Sequence, residues 1–427
     1  EPSAIPPLAD LWVEHDGPDD RARAEALLAM AYAQAPTDGR IGFRLADLAR
    51  DRGKFMTALE RYLALAAIDR YGAAQRLAGL LATDGAGAHI DKAAAEPAVA
   101  LIAGEAEHDP QLALRLATMK NEGRFTAYDP AGAVPLLRQA AEAGHPYGAV
   151  LYARALREGV GGRQDQAEAT RYLQFAADKG EPAAWRDLAD AYRAGAGTPQ
   201  DFAKARRYYH LAAERNGSLS SARALSELYR NGEGGDVDLE KAFTWSLVAA
   251  EGGSVGAMQE VADAYRTGAG TGAPADPTQA LLWYERAAAE GSRSAALAAG
   301  WAYAAGQGTH KSAVLADRYF EQVYAEDPGV AGQIGRAYAT GAEGVRDDAQ
   351  AIRWLERAGA SGDAKAIGAL ARAYEEGTGV PADLDAARRW RGRAAALGDP
   401  DSMLWLGDAA YDGRFGKPDV AEARRWY

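Results

Sequence analysis

Small apolar residues in pairs punctuate the chain at nearly constant intervals, in "RQAAEAG", "QFAADKG", "HLAAERNG", "LVAAEGG", "ERAAAEG", "ERAGASG" and "GRAAALG". The pairs start at Ala140, Ala176, Ala212, Ala249, Ala287, Ala358 and Ala394, with separations of 36, 36, 37, 38, 71 and 36. The interval of 71 conceals one degenerate unit, in which Val323 and Tyr324 stand at the paired positions. A fixed period of a few tens of residues marks a repeat architecture, and it reassigns every motif that falls inside it.

Polar residues keep the same beat. Asp129, Asp165, Asp201, Asp238, Asp276, Ser312, Asp347, Asp383 and Asp419 each lie 11 residues before a paired position, actual or projected. Side chains of this type accept the orphan N–H groups of a first helical turn, so each predicts the N-cap of a helix, here helix A. Pro130 and Pro277 follow their caps directly, where a missing N–H costs nothing. Helix A is predicted to end four residues past the pair, at Gly144, Gly180, Asn216, Gly253, Gly291, Asp327, Gly362 and Gly398. Gly and Asn tolerate the left-handed cap that closes a helix.

A second helix, B, fills the gap of about a dozen residues that follows. It runs to a Gly column at 159, 195, 232, 268, 306, 341, 377 and 413, within stretches such as "YRAGAG", "YRNGEG", "YRTGAG", "YAAGQG" and "YEEGTG", which begin at Tyr192, Tyr229, Tyr265, Tyr303 and Tyr374. "GAGTG" at Gly268 to Gly272 has the look of a phosphate loop. A nucleotide loop, however, follows an apolar strand and precedes a Lys or acidic partner, and neither is present. The stretches are therefore read as exits from helix B. Upstream, Gly53, Gly87 and Gly123 extend the Gly column, and "ERYLALAAIDRYG" (Glu60 to Gly72) reads as a helix A. The expected organisation is three degenerate pairs from Arg21 onward within residues 1–127, then eight clearer pairs and a truncated helix A within 128–427, the whole continuous.

"ALLWYERAAAEG" (Ala280 to Gly291) and "AIGALARAYEEGTGV" (Ala366 to Val380) resemble the Sel1-like repeat, a relative of the tetratricopeptide repeat. The likeness covers Asp129 to Tyr427 closely and the first third loosely. It implies an all-α fold, a right-handed α/α superhelical solenoid, that works as a non-enzymatic adaptor for protein partners. In size, in a start without Met and in degenerate first repeats, the chain is also similar to repeat scaffolds of bacterial envelopes. Those include the outer-membrane lipoproteins that organise exopolysaccharide export, such as the alginate-export scaffold. That similarity implies a periplasmic protein, anchored by lipid through residues before Glu1.

Composition narrows the function without identifying it. The 427 residues are 48% apolar and 25% charged, as in an ordinary folded protein. A net charge of -12 argues against a general nucleic-acid binder, since phosphate neutralisation requires a basic surface. The absence of cysteine removes disulfides, thiolate metal sites and Cys nucleophiles, and leaves cytosol and periplasm both open. No stretch approaches the roughly 18 apolar residues of a membrane span. Asp419 begins a helix A whose pair would fall near position 430, so the natural chain is expected to continue past Tyr427. An elongated monomer is the expected solution form.

Two columns could carry function. Tyr172, Tyr208, Trp245, Trp283, Tyr319, Trp354, Trp390 and Trp426 lie four residues before the pair and read as packing between repeats. The Tyr of the helix-B exit is expected to pack too, its hydroxyl reaching a loop carbonyl. One position before that aromatic column stand Arg171, Arg207, Arg318, Arg353, Arg389 and Arg425, interrupted by Thr244 and Leu282. Glu321 and Glu356, three residues after Arg318 and Arg353, would pair with them for a few tenths of a kcal/mol. The Arg row reads either as a solvated face or as groove binding, receiving carboxylates of a partner protein or a polyuronate in bidentate forks. Net acidity weighs against an anionic polysaccharide.

For catalysis the residues offer little. His15, His89, His108, His145, His210 and His310 fall in different repeats and form no HExxH or i, i+4 pair, so neither metal nor cofactor is expected. A hydrolase of envelope polymers is the competing class, and it lacks a nucleophile constellation.

Overall fold

The computed structural model describes residues 18–427, and every regular element among them is a helix. Two compact units divide the chain, the first ending at Ser221 and the second running Ala222–Tyr427. The first unit opens with α1 (Pro18–Gln34), α2 (Gly39–Asp51), α3 (Phe55–Leu65), α4 (Arg70–Ala82), the single turn α5 (Ala86–His89), α6 (Lys92–Ala106) and α7 (Pro110–Glu122). It continues with α8 (Pro130–Glu142), α9 (Pro146–Glu158), α10 (Gln166–Asp178), α11 (Pro182–Ala194) and α12 (Phe202–Asn216). The division falls inside α13 (Leu219–Asn231). The second unit holds α14 (Leu239–Glu251), α15 (Val255–Thr267), α16 (Pro277–Ala289), α17 (Arg293–Ala305), α18 (Ala313–Glu326) and α19 (Val330–Thr340). It ends with α20 (Asp348–Ala360), α21 (Ala364–Glu376), α22 (Leu384–Ala396), α23 (Pro400–Tyr411) and α24 (Val420–Trp426). Among the described residues the helices fall into three early pairs, eight regular pairs and a shortened helix A.

All nine residues of the predicted cap column begin helices. Asp129 accepts the Gly132 N–H at 2.8 Å, Ser312 that of Leu315 at 3.3 Å and Asp347 that of Gln350 at 3.0 Å, with Asp165, Asp201, Asp238, Asp276, Asp383 and Asp419 doing likewise. Helix A closes on a left-handed Gly at 144, 180, 253, 291, 362 and 398. Two predicted closures differ. Asn216 is still helical and Gly217 turns instead at φ 62°, while Asp327 is extended at φ -141° and accepts the Gly329 N–H at 3.0 Å.

Helix B ends on the predicted Gly column, and the next Gly of the exit has a different duty. A Cβ on Gly197, Gly270 or Gly308 would meet the carbonyl oxygen of Gln166, Leu239 or Pro277 at 2.0, 2.3 or 2.2 Å, respectively. Those are the first residues of α10, α14 and α16, so each exit loop lies against the start of its own helix A. Its Tyr meanwhile holds the next helix: Asp201 N–H donates to the Tyr192 carbonyl at 2.9 Å, and Asp383 N–H to that of Tyr374 at 2.9 Å. The Gly-rich stretches are clasps between successive helices A.

Two upstream expectations fail. Gly87 lies within α5, and the left-handed residue is Gly85 at φ 83°. Glu60 to Gly72 is no single helix: α3 ends at Leu65, and Asp69 caps α4 by accepting the Gly72 N–H at 2.8 Å. An Asp side chain that satisfies a free N–H outcompetes the helical continuation.

Packing is sequential. Within each unit the helices lie chiefly on their neighbours in the chain, and in the regular repeats helix B packs more extensively on the following helix A than on its own partner. Alanine permits that approach. Ala133, Ala169, Ala205, Ala280, Ala316, Ala351, Ala387 and Ala423, four residues past the caps, are all buried. In the early repeats Ala58 and Ala95 hold the same place, and Leu59, Tyr62, Leu77, Leu81 and Ile102 join them in one apolar cluster.

Candidate functional site

The aromatic column divides by burial. Tyr208, Trp283 and Trp354 are buried, whereas Tyr172, Trp245, Tyr319, Trp390 and Trp426 keep part of their rings in solvent. The column packs on the exit tyrosines: Tyr192 stacks on Tyr208 at 6.0 Å and Tyr303 on Tyr319 at 5.9 Å. The Tyr192 and Tyr303 hydroxyls meet side chains rather than loop carbonyls. Tyr192 donates to Gln174 Oε1 at 3.0 Å, and Tyr303 to Glu285 Oε1 at 2.6 Å, because each ring crosses from helix B onto the helix A beside it.

A more deeply buried column sits one residue further along helix A, at Leu137, Leu173, Tyr209, Ser246, Tyr284, Phe320, Leu355 and Arg391. Where it is tyrosine, its hydroxyl donates to an Asp two residues before the helix-B exit position: Tyr209 to Asp190 at 2.5 Å, Tyr284 to Asp263 at 2.5 Å. Burial, reinforced by the adjacent carboxylate, pushes the Tyr284 phenol up to about 12 and raises that of Tyr209 as well. Ser246 and Arg391 break this apolar column. The signal in the sequence was that break, at a position whose other members are Leu, Phe or Tyr.

The Arg row is reached by solvent throughout, but its members differ in their partners. In the first unit Arg171 lies 3.8 Å from Glu168, and the Arg207 guanidinium is 5.9 Å from the Tyr208 ring centre. In the second unit Arg353 donates to Asp317 at 2.8 Å and reaches Glu321 at 3.7 Å, both on the preceding helix A. The predicted i+3 pairs of Arg318 with Glu321 and Arg353 with Glu356 do not form, since Glu321 is taken by Arg357 and Arg353. Arg318, Arg389 and Arg425 remain exposed, with no carboxylate at ion-pair distance.

Histidines are dispersed. His145 caps α9, accepting the Gly148 N–H at 3.3 Å, and His210 lies 2.9 Å from Glu214; His15 lies outside the described residues. Among the described residues no three metal-capable side chains converge, and no helix is long and apolar enough to cross a membrane.

Comparison with known proteins follows the same periodicity. A family model described as "Sel1 repeat" matches residues 109–145, 146–181, 183–217, 219–254, 255–292, 331–363, 364–399 and 400–427. Residues 1–108 are unmatched, as are 293–330, which hold the degenerate unit of Val323 and Tyr324. Among solved structures, c5321, a protective antigen of uropathogenic Escherichia coli with an SLR fold, is similar at TM-score 0.64 and 22% identity, covering 94% of this chain and 85% of that one. A Sel1 repeat protein from Oxalobacter formigenes aligns at TM-score 0.48 and 26% identity, over 72% of this chain and 88% of its own. Comparison with curated proteins gives no match.

Proposed function

The chain belongs to the Sel1 repeat family, and on that footing we propose that it is a non-enzymatic scaffold that binds partner proteins through its repeat surface. Repeats of this family form solenoids that commonly serve protein interaction. One observation carries the reading: the regular polar residues are engaged in caps and interhelical bonds, while Arg318, Arg389 and Arg425 recur at one repeat position with free guanidinium groups. Charges so placed suit carboxylates on an extended acidic partner, because Arg binds carboxylate as a planar fork. Arg353 belongs to that row by position, yet Asp317 already neutralises it.

The setting we propose is the periplasm, in assembly and export of an exopolysaccharide, with the chain acting as a monomer. The support is the resemblance to envelope scaffolds in size and repeat pattern. The test changes Arg318, Arg389 and Arg425 together to Gln, and titrates the partner captured by the native protein, and separately a polyuronate, at two salt concentrations. Exposed charges are screened over about 8 to 10 Å near physiological ionic strength, so wild-type affinity falls with salt and the triple variant loses that dependence. Unchanged affinity and unchanged salt dependence, in a variant that melts normally, return the row to a solvated face. Polymer binding without protein binding would transfer the role to the polysaccharide.

A further inference from the structure

Ser246 marks a place where one repeat omits the side chain on which its neighbours are built. The same position in the repeats on either side is Tyr209 and Tyr284, each buried with its hydroxyl on a carboxylate. In the following repeat Arg266 Nε also donates to the Tyr284 hydroxyl, at 3.3 Å. Arg230 occupies the corresponding place one repeat earlier, where no phenol awaits it. Its Nη2 instead donates to Glu260 Oε2 at 2.9 Å and to Ser226 Oγ at 3.3 Å. Ser226 and Ser246 share a hydrogen bond of 2.7 Å, and Ser246 donates to Glu260 Oε2 at 2.8 Å. Both bonds to Glu260 fall on Oε2, so Oε1 remains to accept another.

Above this polar floor lies a cavity of about 270 Å³ between α14 and α15. Its apolar wall includes Leu239, Phe243 and Ala264. Phe243 is held edge-to-face against Tyr265 at 5.3 Å, which fixes that wall. The next repeat has a groove of about 430 Å³ in the equivalent place, lined by Tyr284 and Trp301. There the phenol is already present and its hydroxyl is satisfied. Only the Ser246 cavity combines an apolar wall with an acidic acceptor and a missing ring, among these neighbours.

We propose that the Ser246 cavity binds a phenol, presented as a tyrosine side chain by a partner protein, in a repeat that carries no phenol of its own at this position. The ring lies against Phe243, Leu239 and Ala264, and the hydroxyl donates to Glu260. The inference rests on the scaffold reading for the carrier of the phenol, although the pocket itself can be tested without any partner.

The probe is p-cresol, the tyrosine side chain in isolation, titrated against the full chain by NMR, with p-methylanisole as the analogue that cannot donate. Wild type is expected to bind p-cresol saturably in the millimolar range, and p-methylanisole about tenfold more weakly, the scale of one hydrogen bond to a charged acceptor. Glu260→Gln should weaken p-cresol by a similar factor. Ser246→Tyr, which installs the neighbours' residue, should abolish binding. No saturable binding by wild type, equal affinity for the two probes, or full binding by a folded Ser246→Tyr variant would each overturn the proposal. Should Ser246→Tyr fail to fold, the two-probe comparison and Glu260→Gln decide alone. Failure of cresol binding leaves the scaffold reading standing, since the Arg-row titration does not involve this cavity.

Discussion

Removing the Trp354 side chain tests whether the aromatic column is framework. The residue is fully buried, with Phe320 at 6.1 Å and Tyr324 at 5.8 Å, both edge-to-face, and the Arg357 guanidinium 4.8 Å from its ring centre. Emptying a buried Trp site costs about 3 to 5 kcal/mol. One term opposes this loss. The indole Nε1 is buried without a hydrogen-bond partner, and an unsatisfied donor costs about 1 to 3 kcal/mol. Truncation relieves that penalty, which lowers the expected cost of Trp354→Ala to about 2 kcal/mol. Trp354→Phe keeps an aromatic ring, relieves the same penalty and should cost less than about 1.5 kcal/mol. Urea unfolding followed by circular dichroism measures both variants, and amide exchange across α18 to α21 shows whether the loss is local, as nearest-neighbour coupling in a repeat array requires. A Trp354→Ala protein within about 0.5 kcal/mol of wild type, or a Phe variant weaker than the Ala variant, would refute the reasoning.

Gly197→Ala should destabilise by more than about 1 kcal/mol by urea unfolding, because its Cβ would sit 2.0 Å from the Gln166 carbonyl oxygen at a φ of 70°. Gly180→Ala, at φ 80° but in open space, should cost less. Asp347→Ala should lose about 1 kcal/mol of cap energy, read in the same assay. Tyr284 predicts an alkaline signature. Its folded phenol stays neutral up to about 12, so the stability it contributes is complete below the ordinary value near 10 and is lost as pH rises through about 12. Ultraviolet titration should therefore show tyrosines that ionise only as the fold is lost, and Tyr284→Phe should flatten the alkaline limb of the stability profile.

Local chemistry made the array legible in the sequence. A cap at Asp129 or Asp383 needs only the N–H three residues on, and a left-handed Gly at 195 or 377 needs only its own φ, so both survive any tertiary context. What escaped depends on partners a whole repeat away. Arg353 finds Asp317, 36 residues back, rather than Glu356 three ahead, because stacked helices A bring equivalent positions alongside each other. The Tyr209 to Asp190 bond spans 19 residues across two helices, and nothing in helical periodicity reveals it. In the early repeats Asp69 divides Glu60 to Gly72 into two helices, since a capping carboxylate overrides a continuous apolar pattern. Of the site residues, the Arg row was visible as a column, but which members keep a free charge was not.

Photo-crosslinking tests the central claim most directly. A photoreactive amino acid is placed at Arg318, Arg389 or Arg425 in cells of the source organism, and for comparison at exposed Glu251, Glu290 and Lys365. A scaffold using the repeated Arg position should crosslink the same protein from all three Arg sites and weakly from the comparison sites, and the purified pair should bind saturably. Equal crosslinking from both sets, with no saturable protein partner and turnover of an envelope polymer by the purified chain, would contradict it.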